Sequence, residues 1–447
     1  MVRRKQLFIV IVVLIITTTL SCTSTLALEP VTRSHSQADY VEAYEELQDL
    51  RKTYLEKQGP LLYALDAGLL THYGHLWEAS NAYLSEAEQR IWELYTESIT
   101  ANVASYLINE NSRPYQGEDY EDLYINLFKA LNYAHLGEVE ASQVELRRFA
   151  EKQQVLQQKY DTLKKAMVEV AGEDQGYVSD GTSIRFSTSA LGNYMQMILA
   201  RDTSDQSQAQ FSFTQVKQAF EKQPSLYPFP LPRTVVDDLV APPPGKSRMN
   251  IVAFTGLAPY KEEFVERVWV SYDNYMKIAL PRMQARPTQV RSIEVHLSDG
   301  SKFTLDPIED MSAIAQEAFQ LRRSYIQSKT IFRSLLKSAS TEVIDASTYM
   351  MASSASSKEE ANTIQFWGSL LSFASRIFSE VSERADVRGS HFFPDRAWVG
   401  GITIPSGQYD ARVVYRNRNG KIIHEQNLQE LLVTTNNLRL WESVCPL

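Results

Sequence analysis

Cysteine is almost absent from this chain: Cys22 and Cys445 are the two thiols in 447 residues. If Cys22 is acylated, or removed with an N-terminal leader, Cys445 is the only unmodified thiol left and no internal disulfide is expected. An oxidising compartment is tolerated without being exploited. Clustered basic charge is missing too. Net charge is −9, and removing Arg3, Arg4 and Lys5 with the leader takes it to −12. A nucleic-acid binder needs grouped cations to displace phosphate counterions, and none are grouped here. Nor is the composition that of a disordered chain, with 44% hydrophobic and 22% charged residues. The length allows two or three domains with cores of their own.

Catalytic signatures are equally scarce. No H-E-x-x-H and no G-x-S-x-G occurs. Pro244-Gly-Lys-Ser247 has the end of a phosphate loop, but position 240 is valine where a glycine is required. Pro242 to Pro244 also lack the backbone N–H groups that would cradle a phosphate. His72 and His75 stand three apart at a helix end, half of a metal site at most, with no third ligand at suitable spacing. Surface or packed histidines are the plainer reading. No cofactor is implied, and the chain reads as non-enzymatic.

Long apolar runs are missing as well, and the one at the N-terminus is informative for being short. Leu7 to Ile16 (LFIVIVVLII) is flanked by the basic Met1–Gln6 and by the small, polar Thr17–Cys22. A spanning helix needs about 20 apolar residues, so residues 1–21 read as an export signal. Two outcomes compete in TTTLSCTSTLALEP (17–30). Leu20 and Ser21 before Cys22 suit acylation of the thiol, although Thr19 stands where a leucine-like residue is usual. Thr25-Leu-Ala27 alternatively suits ordinary cleavage before Leu28. Residues 22–36 show no helical period and are expected to be a tether.

From about 37 to 225 the apolar period is helical. Tyr40, Tyr44, Leu47, Leu50 and Tyr54 form one stripe, and stretches 59–73, 75–108, 119–136 and 138–168 behave alike. Two corners resemble each other, THYGHLWEASNAYL (71–84) and YAHLGEVEASQVEL (133–146). Their glycines, Gly74 and Gly137, lie 63 residues apart, nearly twice the 34-residue tetratricopeptide period. Ala79 and Ala141 are expected to admit close helix approach, with Tyr83 and Leu146 filling the seam. A third pair ends at Ala219-Phe-Glu-Lys-Gln-Pro224. Helical tetratricopeptide-like hairpins are therefore expected here, with a generic bundle as the plainer alternative.

Proline-rich 226–247 reads as a linker, and the period then switches to two. MNIVAF (249–254) is strand-like, Gly256-Leu-Ala-Pro259 is a turn, and 292–305 is a hairpin with Asp299-Gly300 at its tip. Helices are expected at 308–350 and 358–384. The second contains the uncharged stretch 361–375 around Trp367, which reads as core helix or as a membrane- or partner-facing surface. Tyr409, Ala411, Val413 and Tyr415 alternate as in a half-buried antiparallel strand. The expected class is α+β, a helical repeat domain followed by 248–447 as a mixed antiparallel sheet with long helices.

An ordered set of segments resembles a poorly characterised family of bacterial envelope lipoproteins. They are LNYAHLGEVEAS (131–142), VAFTGLAPYKEE (252–263), IALP (278–281), ADVRGSHFFP (385–394) and IPSGQYDARVV (404–414). The resemblance implies a lipid-anchored envelope protein without known catalysis. It favours acylation of Cys22 and, with Thr23 rather than aspartate following, the outer membrane. The expectation is a scaffold or assembly factor with envelope protein partners. A hydrolase using scattered carboxylates and a carrier of an apolar ligand are the alternatives. Within 385–394, Asp386 and Arg388 are expected to pair, and Phe392, Phe393 and Pro394 to fix the entry to the last sheet.

Overall fold

The computed structural model describes residues 27–100, 113–171, 186–271, 274–320, 322, 384–434 and 439–447. Cys22, Trp367 and most of the helices expected at 308–350 and 358–384 lie outside these residues; of the first, 311–320 is helical as expected, while 308–310 end a strand instead.

The first half is a succession of helices: α1 (Glu29–Ser36), α2 (Tyr40–Asp49), α3 (Arg51–Lys57), α4 (Pro60–Tyr73), α5 (Trp77–Thr100), α6 (Asp119–His135), α7 (Val139–Ala171), α8 (Ala190–Asp202), α9 (Gln206–Lys222) and the short α10 (Arg233–Asp237). Helices α4/α5, α6/α7 and α8/α9 pack as consecutive hairpins. Leu61 to Tyr73 of α4 are all buried, and so are nearly all of Tyr120 to Asn132 in α6. A helix apolar on every side belongs inside, and α4 and α6 are the inner members of their hairpins.

Four corners share one construction. Ala38, His75, Gly137 and Ser204 each take a positive φ, from +61° to +78°. Each donates its N–H three residues back, and the next residue donates five back, as His75 to His72 O and Leu76 to Thr71 O. That is the Schellman close of a helix. Five residues past each corner stands a small buried side chain: Ala43, Ser80, Ser142 and Ala209. Two expectations shift as a result. The counterpart of Gly137 is His75, because Gly74 has an ordinary φ of −79°. The tight contact is made by the serine of each E-A-S, whereas Ala79 and Ala141 are half-buried. Ser80 Oγ donates to Gly68 O and Ser142 Oγ to Ala130 O, both at 2.7 Å.

The second half is a seven-stranded sheet in the order β8-β7-β4-β5-β6-β1-β9, beside a separate β2–β3 ribbon. Its strands are β1 (Lys246–Thr255), β4 (Ser292–Leu297), β5 (Lys302–Asp310), β6 (Arg396–Pro405), β7 (Gly407–Arg416), β8 (Ile422–Val433) and β9 (Arg439–Cys445); the ribbon is Tyr260–Ser271 with Asn274–Gln284. All neighbours are antiparallel except β1 and β9. Both faces are buried along β1, whereas β7 and β8 leave many residues exposed. Along β1, Val252 and Phe254 point to the helices, and Met249, Ile251 and Ala253 to a second core with Val413, Tyr415 and Trp398. Twist coils the sheet until its end strands come within side-chain reach: Gln426 of β8 accepts from Val444 N and Ser443 Oγ of β9.

Two further expectations change. Residues 29–36 are helix α1 rather than tether, with Val31, Ser34 and His35 buried; eight residues are too few for the period to show. The segment 226–247 is no spacer either. Leu226, Tyr227 and Val235 belong to a core that also contains α4, α6, β1 and β6 side chains, so packing runs unbroken across it.

Candidate functional site

Between the inner helices and the sheet lie buried acids, each holding donors from distant parts of the chain. Asp66, the one acid in α4, accepts from Tyr54 OH (2.6 Å), Ser390 Oγ (2.7 Å), His391 N (2.9 Å) and His391 Nδ1 (2.6 Å). These bonds outweigh the cost of burial and hold its carboxyl below the usual range, with the imidazole the largest favourable influence. Glu121, in the capping box of α6, accepts from Tyr115 OH, Glu118 N and Ser390 N. Burial and the neighbouring Glu118 push it up to about 7. Glu309 accepts from Tyr124 OH, Ser189 Oγ, Leu191 N and Tyr227 OH, and burial raises its carboxyl. Asp238 gathers Arg201, Arg248, Tyr194, Thr234 and Asn250.

Glu442 of β9 completes the set. His72 Nε2 stands 2.9 Å from Oε1 and His135 Nε2 3.4 Å from Oε2. His72 Nδ1 faces Asn132 Oδ1 at 2.6 Å, and the Asn132 amide is oriented by giving its hydrogens to Ser80 Oγ and Asn81 Oδ1. Both ring nitrogens of His72 therefore face side-chain oxygens, one an amide and one a carboxylate. Glu442 is held down to about 2, against the cost of burial, by His72 and His135. Trp77 stacks on His135 at 4.2 Å and on His75 at 5.0 Å. Of the histidine pair noticed in the sequence, His72 thus belongs to the buried contact with Glu442 and His75 stacks on Trp77, and among the described residues no group of metal-binding side chains converges.

Ser390, His391 and Asp66 have the composition of a hydrolytic triad but not its wiring. The serine hydroxyl donates straight to Asp66 rather than to the imidazole, so nothing withdraws its proton. Asp386 and Arg388 pair as expected, through bonds of 2.9 and 2.8 Å, and Arg388 also reaches Arg113 O. Phe392 and Phe393 are buried in the shared core.

Two of the resembling segments meet. Ala258 N donates to Phe393 O and Asp395 N to Thr255 O, which staples the 256–259 turn to the end of 385–394. Gly256 has φ +64°, and a Cβ there would stand 2.8 Å from Thr288 Cβ; Pro259 is buried. Tyr83 bonds Tyr44 through their hydroxyls at 2.9 Å. None of the buried acids was singled out by sequence reasoning, though Asp66 as a lone acid in an apolar helix was a usable signal.

Open surface is provided by a cleft of about 480 Å³ where the α1–α2 corner and the end of α4 face β8. Gln37, Asp39, Val41 and His75 line one wall, and His424, Gln426 and Asn427 the other. Comparison with protein-family models, curated proteins and solved structures finds no match to this chain.

Proposed function

We propose that this is an exported lipoprotein of the bacterial cell envelope, acylated at Cys22 and anchored in the outer membrane facing the periplasm. It serves there as a non-enzymatic scaffold or assembly factor for an envelope protein partner. The leader, the small residues before Cys22 and the resemblance of five ordered segments support the location. One observation carries the scaffold reading: the five buried acids described above are bound by donors from separated elements, which makes them cross-links of a rigid body. The partner is met at the polar cleft beside β8, presented by tetratricopeptide-like stacking of the helical hairpins.

Photo-crosslinking in cells tests this, with the reactive residue placed at Val41 or Asn427 on opposite cleft walls. A discrete adduct with one envelope protein, missing from a probe at exposed Arg418, is expected. Equal, diffuse labelling from all three positions would overturn it. Intact mass of the membrane-extracted chain decides the anchor, since an N-terminus at Leu28 without acyl mass would remove it.

A further inference from the structure

Five partly buried arginines among the described residues pair with carboxylates: Arg201 and Arg248 with Asp238, Arg388 with Asp386, Arg396 with Asp310, and Arg416 with Glu294. Arg286, also half-buried, has no carboxylate at ion-pair distance among the described residues. Its Nε donates to Ala258 O at 2.7 Å, its Nη2 reaches His391 O at 3.5 Å, and its guanidinium lies 5.8 Å from the centre of the exposed Tyr260 ring. These contacts fix the planar group and leave Nη1 without an acceptor. The acids that sense it, Asp66 and Asp395, are engaged elsewhere, Asp66 with His391 and Asp395 with Thr288 N. A partly desolvated cation without an anion is costly to the fold.

The neighbouring His391 adds a second donor. Its Nδ1 is tied to Asp66, so the remaining Nε2 is the nitrogen available to a ligand, and the side chain is 31% exposed. Asp66 raises the basicity of the ring against the opposing effects of burial and Arg286. A buried acid orienting an imidazole beside a guanidinium gives one bidentate and one single donor, an arrangement suited to a tetrahedral oxyanion.

We propose that Arg286 and His391 form a binding site for a phosphoryl oxyanion, with the guanidinium taking two oxygens and the imidazole Nε2–H a third. Tyr260 forms the edge of the site. The group can belong to free phosphate or to an anionic lipid headgroup, and the chemistry of recognition is shared.

The test uses the mature chain from residue 22 on, produced with Cys22→Ser so that no acyl group inserts into vesicles: calorimetric titration with inorganic phosphate at constant ionic strength, and flotation with phosphatidylglycerol vesicles against phosphatidylcholine vesicles. Saturable binding in at least one arm is expected, with the arm that responds identifying the source. Arg286→Gln should weaken it by about tenfold or more, the loss of a charge-assisted contact. No binding in either arm, or unchanged binding by the variant, overturns the proposal. Should the variant not fold, the His391 ring resonances of the wild-type protein are followed as phosphate is added. A saturating shift supports the site, and unmoved resonances refute it.

Discussion

Replacing Glu442 by glutamine isolates the charge in the β9 lock, because the amide keeps much of the hydrogen bonding. Its oxygen can stand where Oε1 faced His72 Nε2, and its NH₂ where Oε2 faced His135 Nε2. What is lost is the carboxylate charge opposite the fully buried His72. In the folded protein the Glu442 carboxyl is held from 4.5 down to about 2. At about 1.4 kcal/mol per unit this corresponds to roughly 3 kcal/mol of stability.

The sign follows from the direction of the shift. A depressed acid contributes in full above its unfolded value, so Glu442→Gln should cost roughly 3 kcal/mol at pH 7. As pH falls from 4.5 towards 2, the wild-type protein loses this contribution and the variant has none to lose, so the two curves converge. Urea unfolding followed by circular dichroism at pH 7, 5, 4 and 3 measures the gap. Hydrogen exchange of residues 439–445 shows whether the loss is local to β9. A gap below about 1 kcal/mol at pH 7, or one that stays constant down to pH 3, would refute the assignment of this group as a buried ion pair.

Two further substitutions test the packing. Ser142→Ala removes one buried bond to the preceding helix and should lower unfolding free energy by about 1 kcal/mol; Ser80→Ala removes the same bond and also the acceptor of Asn132 Nδ2, so it should cost about 2 kcal/mol, while Ala79→Ser and Ala141→Ser should change it little. Gly256→Ala and Gly137→Ala both force a left-handed backbone on alanine, at about 1–2 kcal/mol. Only Gly256→Ala also drives a Cβ against Thr288, so it should cost a further 1–3 kcal/mol or so in the same unfolding assay.

Period and punctuation made much of the architecture legible. The α4–α7 helices and the β4–β5 hairpin follow from apolar spacing and Asp299-Gly300, and the inward set Ala411, Val413 and Tyr415 from strict alternation. Glycine misled where another residue could take its place: His75 adopts the left-handed corner that Gly137 fills in the next hairpin. The 260–284 ribbon went unread because YKEEFVERVWVS mixes charge into both alternating sets. Strand β9 went unread because seven residues lie at a sheet edge, paired in parallel to β1 far back in the sequence. Glu309 could not be found from its neighbours. A register shift between Pro307 and Glu309 buries Ile308 and Glu309 in succession, against the strand period, and turns both to the helices.

The same buried bonds bear on how the helical half can be used. In a solenoid each repeat contacts its neighbours alone and leaves a concave face free for partners. Here that face is occupied. The inner helix α4 sends His72 to Glu442, Tyr73 to Phe392 O and Asp66 to Ser390 and His391, while α6 sends Tyr124 to Glu309. The helical pairs and the coiled sheet therefore complete each other's cores, and stability of one half depends on the other. A partner cannot dock where α4 and α6 point without displacing β9 and the 385–394 segment. It must meet the outer helices, the β2–β3 ribbon or the rims where the two halves join. The cleft beside β8 is such a rim, and the Arg286–His391 site, packed against Ala258 and Asp66, lies at another.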